Sequence, residues 1–217
     1  MKKNILNTLA SANLVKNKLD YIIPKTREKD VLDVGVVGQL NQQDSKDWLH
    51  GRIKTEAKSL VGVDIDHDGI EKLNRNGFHV KHVSDLNDNN YYDVIVIGDV
   101  IEHVDNVRLF LEFYISKCKK GGSIIITTPN PQNIELVFDI LNKKSPTINS
   151  EHTNFIDPQN LQEQVNRIEG IYVEEFVWIN FIKRSGIKWL IFHPICRILA
   201  RYRNYYYPSY AATLRIK

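Results

Sequence analysis

The sequence predicts an α/β fold, a mostly parallel sheet covered by helices on both faces, and three observations carry that reading. Val/Ile-rich runs recur at 31–37, 60–65, 94–97 and 124–126, near-continuous rather than alternating with polar residues. Segments with helical spacing of apolar residues separate these runs, so strand and helix alternate along the chain. Glycines or carboxylates close the runs: Gly35 and Gly38 after the first, Asp64 at the second, Gly98 and Asp99 at the third.

Taken in order, residues 4–20 space Ile5, Leu6, Leu9, Leu14, Val15 and Leu19 in a roughly helical rhythm, and a helix is expected there. Residues 30–38 (DVLDVGVVG) are a buried strand entering a tight loop. Trp48, Leu49, Ile53 and Ala57 place a helix over about 44–58. Residues 59–65 (SLVGVDI) are the second strand, followed by a helix through Ile70 and Leu73. Residues 78–83 alternate like a third strand, and 92–98 (YDVIVIG) are the fourth. Val107, Phe110, Leu111 and Tyr114 share one side of a helix at 106–119, which Gly121 and Gly122 stop before a fifth strand at 122–128. Beyond Pro131 the pattern loosens. Residues 133–142 and 158–167 read as helices and 142–154 as a loop. A strand at 172–181, a basic amphipathic helix at 189–202 interrupted by Pro194, and a strand at 210–216 complete the series.

No internal repeat or low-complexity linker divides the 217 residues, so one domain is expected. It comprises an N-terminal helical segment (1–28), a nucleotide-holding core (30–130) and a substrate-side and C-terminal elaboration (131–217). Apolar residues at 42% and charged residues at 25% exclude a disordered chain. Residues 5–20 lack the unbroken apolar core of a signal peptide, and His193, Pro194 and Arg197 interrupt the most apolar late stretch. Cys118 and Cys196 suit free thiols better than a disulfide framework, so the cytoplasm is the expected location. Charge is segregated: from Phe176 onward there are eight Lys or Arg and no Asp or Glu, whereas the preceding body holds 21 basic and 26 acidic residues. Such a tail points to an anionic partner, or more plainly to a solvated helix face.

Residues 33–38 (DVGVVG) sit where the first strand meets its crossover; glycines there let backbone approach a ligand, and the next helix start offers free N–H groups. In a right-handed βαβ unit the tips of the first two strands are neighbours, so the Asp64 carboxylate can accept both hydroxyls of a ribose. Its plainer role, capping the following helix, can instead fall to Asp66 or Asp68. After the third strand, Asp85 of Ser84-Asp85-Leu86 can reach an adenine amino group. A nicotinamide-dinucleotide enzyme is the sharpest rival, but it needs a Gly-x-Gly-x-x-Gly loop and only Gly35 and Gly38 are present. Tyr21 and Lys25 mimic a Tyr-x-x-x-Lys pair, yet they precede the nucleotide strand and enclose Pro24. No Gly-x-x-x-x-Gly-Lys-Ser/Thr stretch occurs, which argues against a P-loop nucleotidase.

Residues 92–104 (YDVIVIGDVIEHV) resemble the Asp-x-Ile-…-Glu-His-hydrophobic signature of class I S-adenosylmethionine-dependent methyltransferases of the ubiquinone-biosynthesis type. Residues 121–131 (GGSIIITTPNP) resemble that family's Gly-Gly, strand, Thr-Pro-Asn segment, with Lys120 in place of the usual proline. Residues 151–155 (EHTNF), followed by a helix, match its downstream pattern, and the resemblance spans about 31–167. It departs at the glycine loop, where Gly35-Val-Val-Gly38-Gln replaces Gly-x-Gly-x-Gly. That altered loop, with Trp48-Leu-His50 after it, is similar to a subgroup associated with bacterial glycan and surface-polysaccharide biosynthesis. The resemblance implies a Rossmann-like, seven-stranded, mostly parallel sheet with its last strand antiparallel, and S-adenosyl-L-methionine as cofactor. It implies a cofactor loop containing Asp33, with Gly35 and Gly38 lining the methionine and ribose part. Asp64 would hold the ribose hydroxyls, with Ile65 packing on the adenine. Asp85 would face the adenine amino group, with Leu86 offering a backbone N–H. Gly98 and Asp99 would lie near the methionine amino group and the reacting methyl.

Methyl transfer from a sulfonium is an in-line displacement, so the protein mainly aligns the acceptor and excludes water. A hydroxyl acceptor also needs a base, and histidine titrates near neutral pH. His103 is the first candidate, with Glu102 beside it, and His152 the second; more plainly, Glu102 and His103 orient their loop and cap the next helix. Asp99, Glu102 and His103 complete no recognisable ligand spacing, so no metal is expected. The expected acceptor is a hydroxyl of a sugar, lipid-linked glycan precursor or related small molecule. The basic, tyrosine-rich residues 201–207 (RYRNYYY) would meet its phosphate or an anionic membrane surface. A quinone-type or RNA methyltransferase, and a methyltransferase fold without turnover, are the alternatives. Against nucleic acid, the acidic body offers no continuous basic channel.

Overall fold

The computed structural model describes residues 5–38, 45–87, 91–143, 145–181 and 187–217. Among these residues one sheet holds eight strands: β1 (Asn13–Val15), β2 (Asp30–Val34), β3 (Ser59–Asp64), β4 (Val80–His82), β5 (Tyr92–Gly98), β6 (Cys118–Pro129), β7 (Ile171–Ile179) and β8 (Ser209–Ile216). Their order is β1-β7-β8-β6-β5-β2-β3-β4. Among the described residues only β8 runs against its neighbours, antiparallel to both β6 and β7; the other paired strands are parallel. The helices are α1 (Ile5–Ala10), α2 (Lys18–Thr26), α3 (Leu49–Lys54), α4 (His67–Arg75), α5 (Val107–Lys117), α6 (Ile134–Lys143), α7 (Pro158–Asn166) and α8 (Ile187–Tyr202), the last running through Pro194. This is the Rossmann-like arrangement expected, with one strand more.

The continuous apolar runs are explained by burial on both sides. Successive strand residues point to opposite faces. Leu32, Val34, Ile95, Ile97, Ile124 and Ile126 join one core with Leu111 and Tyr114 of α5 and Leu161 and Val165 of α7. Val31, Val94, Val96 and Ile125 join another with Tyr21, Ile22 and Ile23 of α2 and Leu49 and Ile53 of α3. Each such side chain contributes roughly 1.5–3 kcal/mol of transfer free energy, so a polar residue on either face would be costly.

The extra strand corrects the reading of the N-terminus. The helix expected over 4–20 ends at Ala10, and Asn13–Val15 pair in parallel with Val177–Ile179. The indole of Trp178 donates to the Leu9 carbonyl at 3.0 Å, fixing α1 against that edge. Apolar spacing alone favours a helix here; the open edge of β7 supplies hydrogen-bond partners that no local pattern displays. Helix resumes at Lys18, where the Asn17 side chain accepts from the Asp20 N–H at 3.0 Å. Strand order reverses between β5 and β2, and the crevice at the C-terminal ends of these strands is where such sheets bind ligands.

Candidate active site

A cavity of about 730 Å³ occupies that crevice, within the size range of small-molecule sites. Gly35 and Gly38 after β2, Asp64 and Ile65 at the tip of β3, and Gly98 and Asp99 at the tip of β5 all line it. Parallel pairing brings these tips together, because β2 lies between β3 and β5. Asp64 organises the crevice. One carboxylate oxygen accepts the Val37 N–H at 2.7 Å, across the glycine bend, and the other accepts the Ile65 N–H at 2.7 Å. Gly35 has φ +78, and a Cβ there would sit 2.4 Å from a Val100 methyl. Gly35→Ala is therefore expected to destabilise the protein by about 2–4 kcal/mol in chemical denaturation, combining left-handed strain with overpacking. A loss below about 0.5 kcal/mol would show that this bend is not constrained as described.

Beside the cavity, a short helical turn, Ile101–His103, follows β5. The segment after α6 is tied onto this turn: the N–H groups of Thr153 and Asn154 each donate to the Glu102 carbonyl at 3.0 Å, and the Asn154 side chain donates to the Val104 carbonyl. The two Glu-His pairs, at 102–103 and 151–152, thus become one structure. His103 and His152 meet edge to face with centroids 4.7 Å apart. The His103 Nδ1 lies 3.1 Å from the Glu151 carbonyl oxygen, which can only accept, so Nδ1 is the donor, and in the neutral tautomer that this selects, Nε2 has the lone pair. Burial, then the neighbouring His103, lowers the His152 pKa and favours its neutral form.

Glu102 is buried and accepts from the Thr128 hydroxyl at 3.0 Å. Burial, then the negative charge of Asp99, pushes its carboxyl pKa up to about 7. The folded protein holds that proton more tightly than the unfolded chain does. The contribution to stability is complete below the ordinary carboxylate range and is lost as pH rises through about 7. Glu102→Gln is accordingly expected to stabilise the fold by on the order of 2 kcal/mol near pH 8.5 and to change it little near pH 5, read from thermal unfolding at both pH values. Equal shifts at the two values would contradict the assignment. One ligand atom from each of Glu102, His103 and His152 falls within a 4.8 Å cluster, a mixed carboxylate–imidazole set able to hold a divalent cation. Linear spacing does not reveal this grouping, because His152 arrives from a distant segment.

A second cavity, of about 340 Å³, adjoins the first. Glu102, His152 and Asn149 line it, with Asn130 from the end of β6 and Glu135 and Asp139 from α6. Asn149 borders both cavities, while His103 lines the first and Glu102 and His152 the second. The Glu-His junction therefore stands between a nucleotide-sized crevice and a smaller polar chamber.

Not every expected site residue reaches the crevice. Asp33 is buried and faces away from it, bonded to the His50 Nδ1 at 2.9 Å; His50 is equally buried and lies against Gly62. The pair braces β2 from beneath. Asp85 is exposed and Leu86 is packed in the core; neither lines the cavity, although Val83 on the same turn does. Ile65 is exposed at the rim, in a position to cover a base. The sequence reading missed Lys18. It lines the crevice from the start of α2 and donates to Asp99 at 2.8 Å, while the Thr127 hydroxyl donates to the other Asp99 oxygen at 3.0 Å. Asp99 is held at φ +57 in this arrangement. A helix expected to run through residue 20 gave no sign that Lys18 begins a second one.

Comparison with known proteins agrees with the fold. The chain is 24% identical over 178 residues to a ubiquinone biosynthesis O-methyltransferase of Rickettsia canadensis (strain McKiel), spanning 73% of this chain and 72% of that one. A second such enzyme, from Rickettsia bellii (strain OSU 85-389), is 23% identical over 194 residues, with 80% and 77% covered. Among solved structures, a SAM dependent methyltransferase from Archaeoglobus fulgidus is similar with a TM-score of 0.56 at 21% identity, over 91% of each chain. The magnesium protoporphyrin IX methyltransferase of Synechocystis PCC 6803, solved with bound SAH, gives 0.56 at 12% identity, over 92% of this chain and 82% of that one. The methyltransferase domain model matches residues 12–169, well over half of the sequence, and the chain belongs to that family.

Proposed function

We propose that this methyltransferase moves a methyl group from S-adenosylmethionine to a hydroxyl of a sugar or lipid-linked glycan precursor. The observation that carries the acceptor class is the chamber beyond Glu102. Its lining offers three carboxylates, several side-chain amides and His152, and among the described residues no Lys or Arg. Many converging acceptors and donors suit a polyhydroxylated group, whereas a phosphate inside this chamber would meet carboxylates and, among the described lining residues, no Lys or Arg to bind it. Any phosphate on the acceptor belongs outside, toward Arg197 and Arg201 of α8.

The cofactor fits the larger crevice, whose glycine bend and Asp64 carboxylate match an adenosine. Bound there, it supplies a methyl group on a positively charged sulfur. The chain does the rest. Asp64 holds the ribose and closes the glycine bend, Ile65 covers the base, and Lys18 and Thr127 fix the carboxylate of Asp99 at the β5 tip. His103 Nε2 takes the proton from the acceptor hydroxyl as its oxygen attacks, and Glu102 and His152 set the polarity around it. The Glu102–His103–His152 grouping favours a second version, in which a divalent cation binds the acceptor oxygen and lowers its pKa.

The test uses methyl-labelled S-adenosylmethionine with nucleotide sugars, lipid-linked glycan precursors, quinols and transfer RNA. Label on a sugar hydroxyl supports the proposal. Label on quinols alone overturns it in favour of a quinone ring, the reading that the names of the relatives favour.

A further inference from the structure

We infer that the outer face of α6 and α8 is a docking surface for an anionic lipid bilayer, placed beside the entrance of the acceptor chamber. The inference rests on the proposed function only in explaining why an acceptor would be met there. The inner side of α6 gives Glu135 and Asp139 to the chamber. Its outer side leaves Val137, Ile140 and Leu141 exposed, Leu141 at 75%. At 3.6 residues per turn, Ile195, Ile198 and Tyr202 of α8 fall on the side opposite the buried Cys196 and Ala200. Ile198 is 67% and Tyr202 73% exposed. Arg197 and Arg201, four residues apart, border that stripe. The two helices pack through Phe138 and Phe192, whose rings are 5.1 Å apart, which joins the stripes into one apolar face. Ile148 and Phe155, also exposed, continue it to the chamber's lining.

Charge decides the occupant. The acidic residues of α6, Glu135 and Asp139, are buried, and α8 has none, so the exposed residues of both helices carry only positive charge. Apolar side chains bordered by arginines and a tyrosine match an anionic headgroup layer over acyl chains. A second copy of the chain would set Arg197 and Arg201 against themselves across a twofold axis. No described helix is long and apolar enough to cross a membrane, so the contact is peripheral.

Flotation of the full chain with phosphatidylglycerol–phosphatidylcholine vesicles, and with pure phosphatidylcholine vesicles, tests this without any acceptor. The chain is expected to float with the anionic vesicles and to be released by salt. Arg197→Ala with Arg201→Ala should weaken binding roughly thirtyfold, and Leu141→Asp with Ile198→Asp at least about tenfold. S-adenosylmethionine affinity should stay unchanged, because none of these residues lines the cofactor crevice, and this reports intact folding. Absence of vesicle binding, or binding that both variants retain, overturns the inference. So does a dimer in sedimentation that Leu141→Asp with Ile198→Asp dissolves while vesicles remain unbound. An acceptor screen that excluded sugars would leave these measurements standing.

Discussion

Replacing Asp64 by alanine is expected to raise the dissociation constant for S-adenosylmethionine by roughly a hundredfold or more, measured by isothermal titration calorimetry. The carboxylate does two things at once. It presents acceptor oxygens where the β2 and β3 tips converge, and it already holds the Val37 and Ile65 N–H groups at 2.7 Å each. Alanine would remove the proposed ribose contact and also release the glycine bend from β3. Asp64→Asn keeps one oxygen and should fall between, with a loss of about tenfold. Affinity unchanged in Asp64→Ala would place the adenosine elsewhere and remove the basis for the cofactor assignment.

His103→Ala is expected to lower kcat by roughly a hundredfold to ten-thousandfold while S-adenosylmethionine affinity stays within about twofold. The split follows from position. His103 borders the cofactor crevice and meets His152, which lines the neighbouring chamber, edge to face, so on the proposed mechanism its loss would remove proton transfer and leave Asp64 and the glycine bend intact. Glu102→Gln separates the roles: if Glu102 were the base, that variant would show the larger loss of kcat, and a rate limb near pH 7 would vanish with it. Chelation completes the distinction. Activity unaffected by EDTA supports the histidine base. Activity lost with EDTA and restored by a divalent cation supports the cation-assisted version held by Glu102, His103 and His152.

The cofactor half of the fold was legible because its information is local. Buried parallel strands must be apolar on both faces, so 59–64 and 92–98 announce themselves in a window of seven residues, and the bend at Gly35 follows from a backbone that a Cβ would block. The same logic located Asp64 at a strand tip. It erred about Asp33 for a physical reason: strand side chains alternate, and one position decides whether a carboxylate points into the crevice or, as here, toward His50 beneath the sheet. Asp85 shows the same limit, since a turn at the right place does not aim its side chain.

By itself, then, the sequence determined the alternation of strand and helix, the glycine bend, the carboxylate at the β3 tip and the Glu-His turn after β5. Each depends on neighbours within a few residues. The tertiary structure alone decided that residues 13–15 extend along β7, that Lys18 starts a helix facing Asp99, and that the Glu-His pairs at 102–103 and 151–152 share one hydrogen-bonded junction. These outcomes depend on partners remote in the chain. Backbone groups and charges settle wherever burial leaves them a counterpart, and no local pattern records where that counterpart will be.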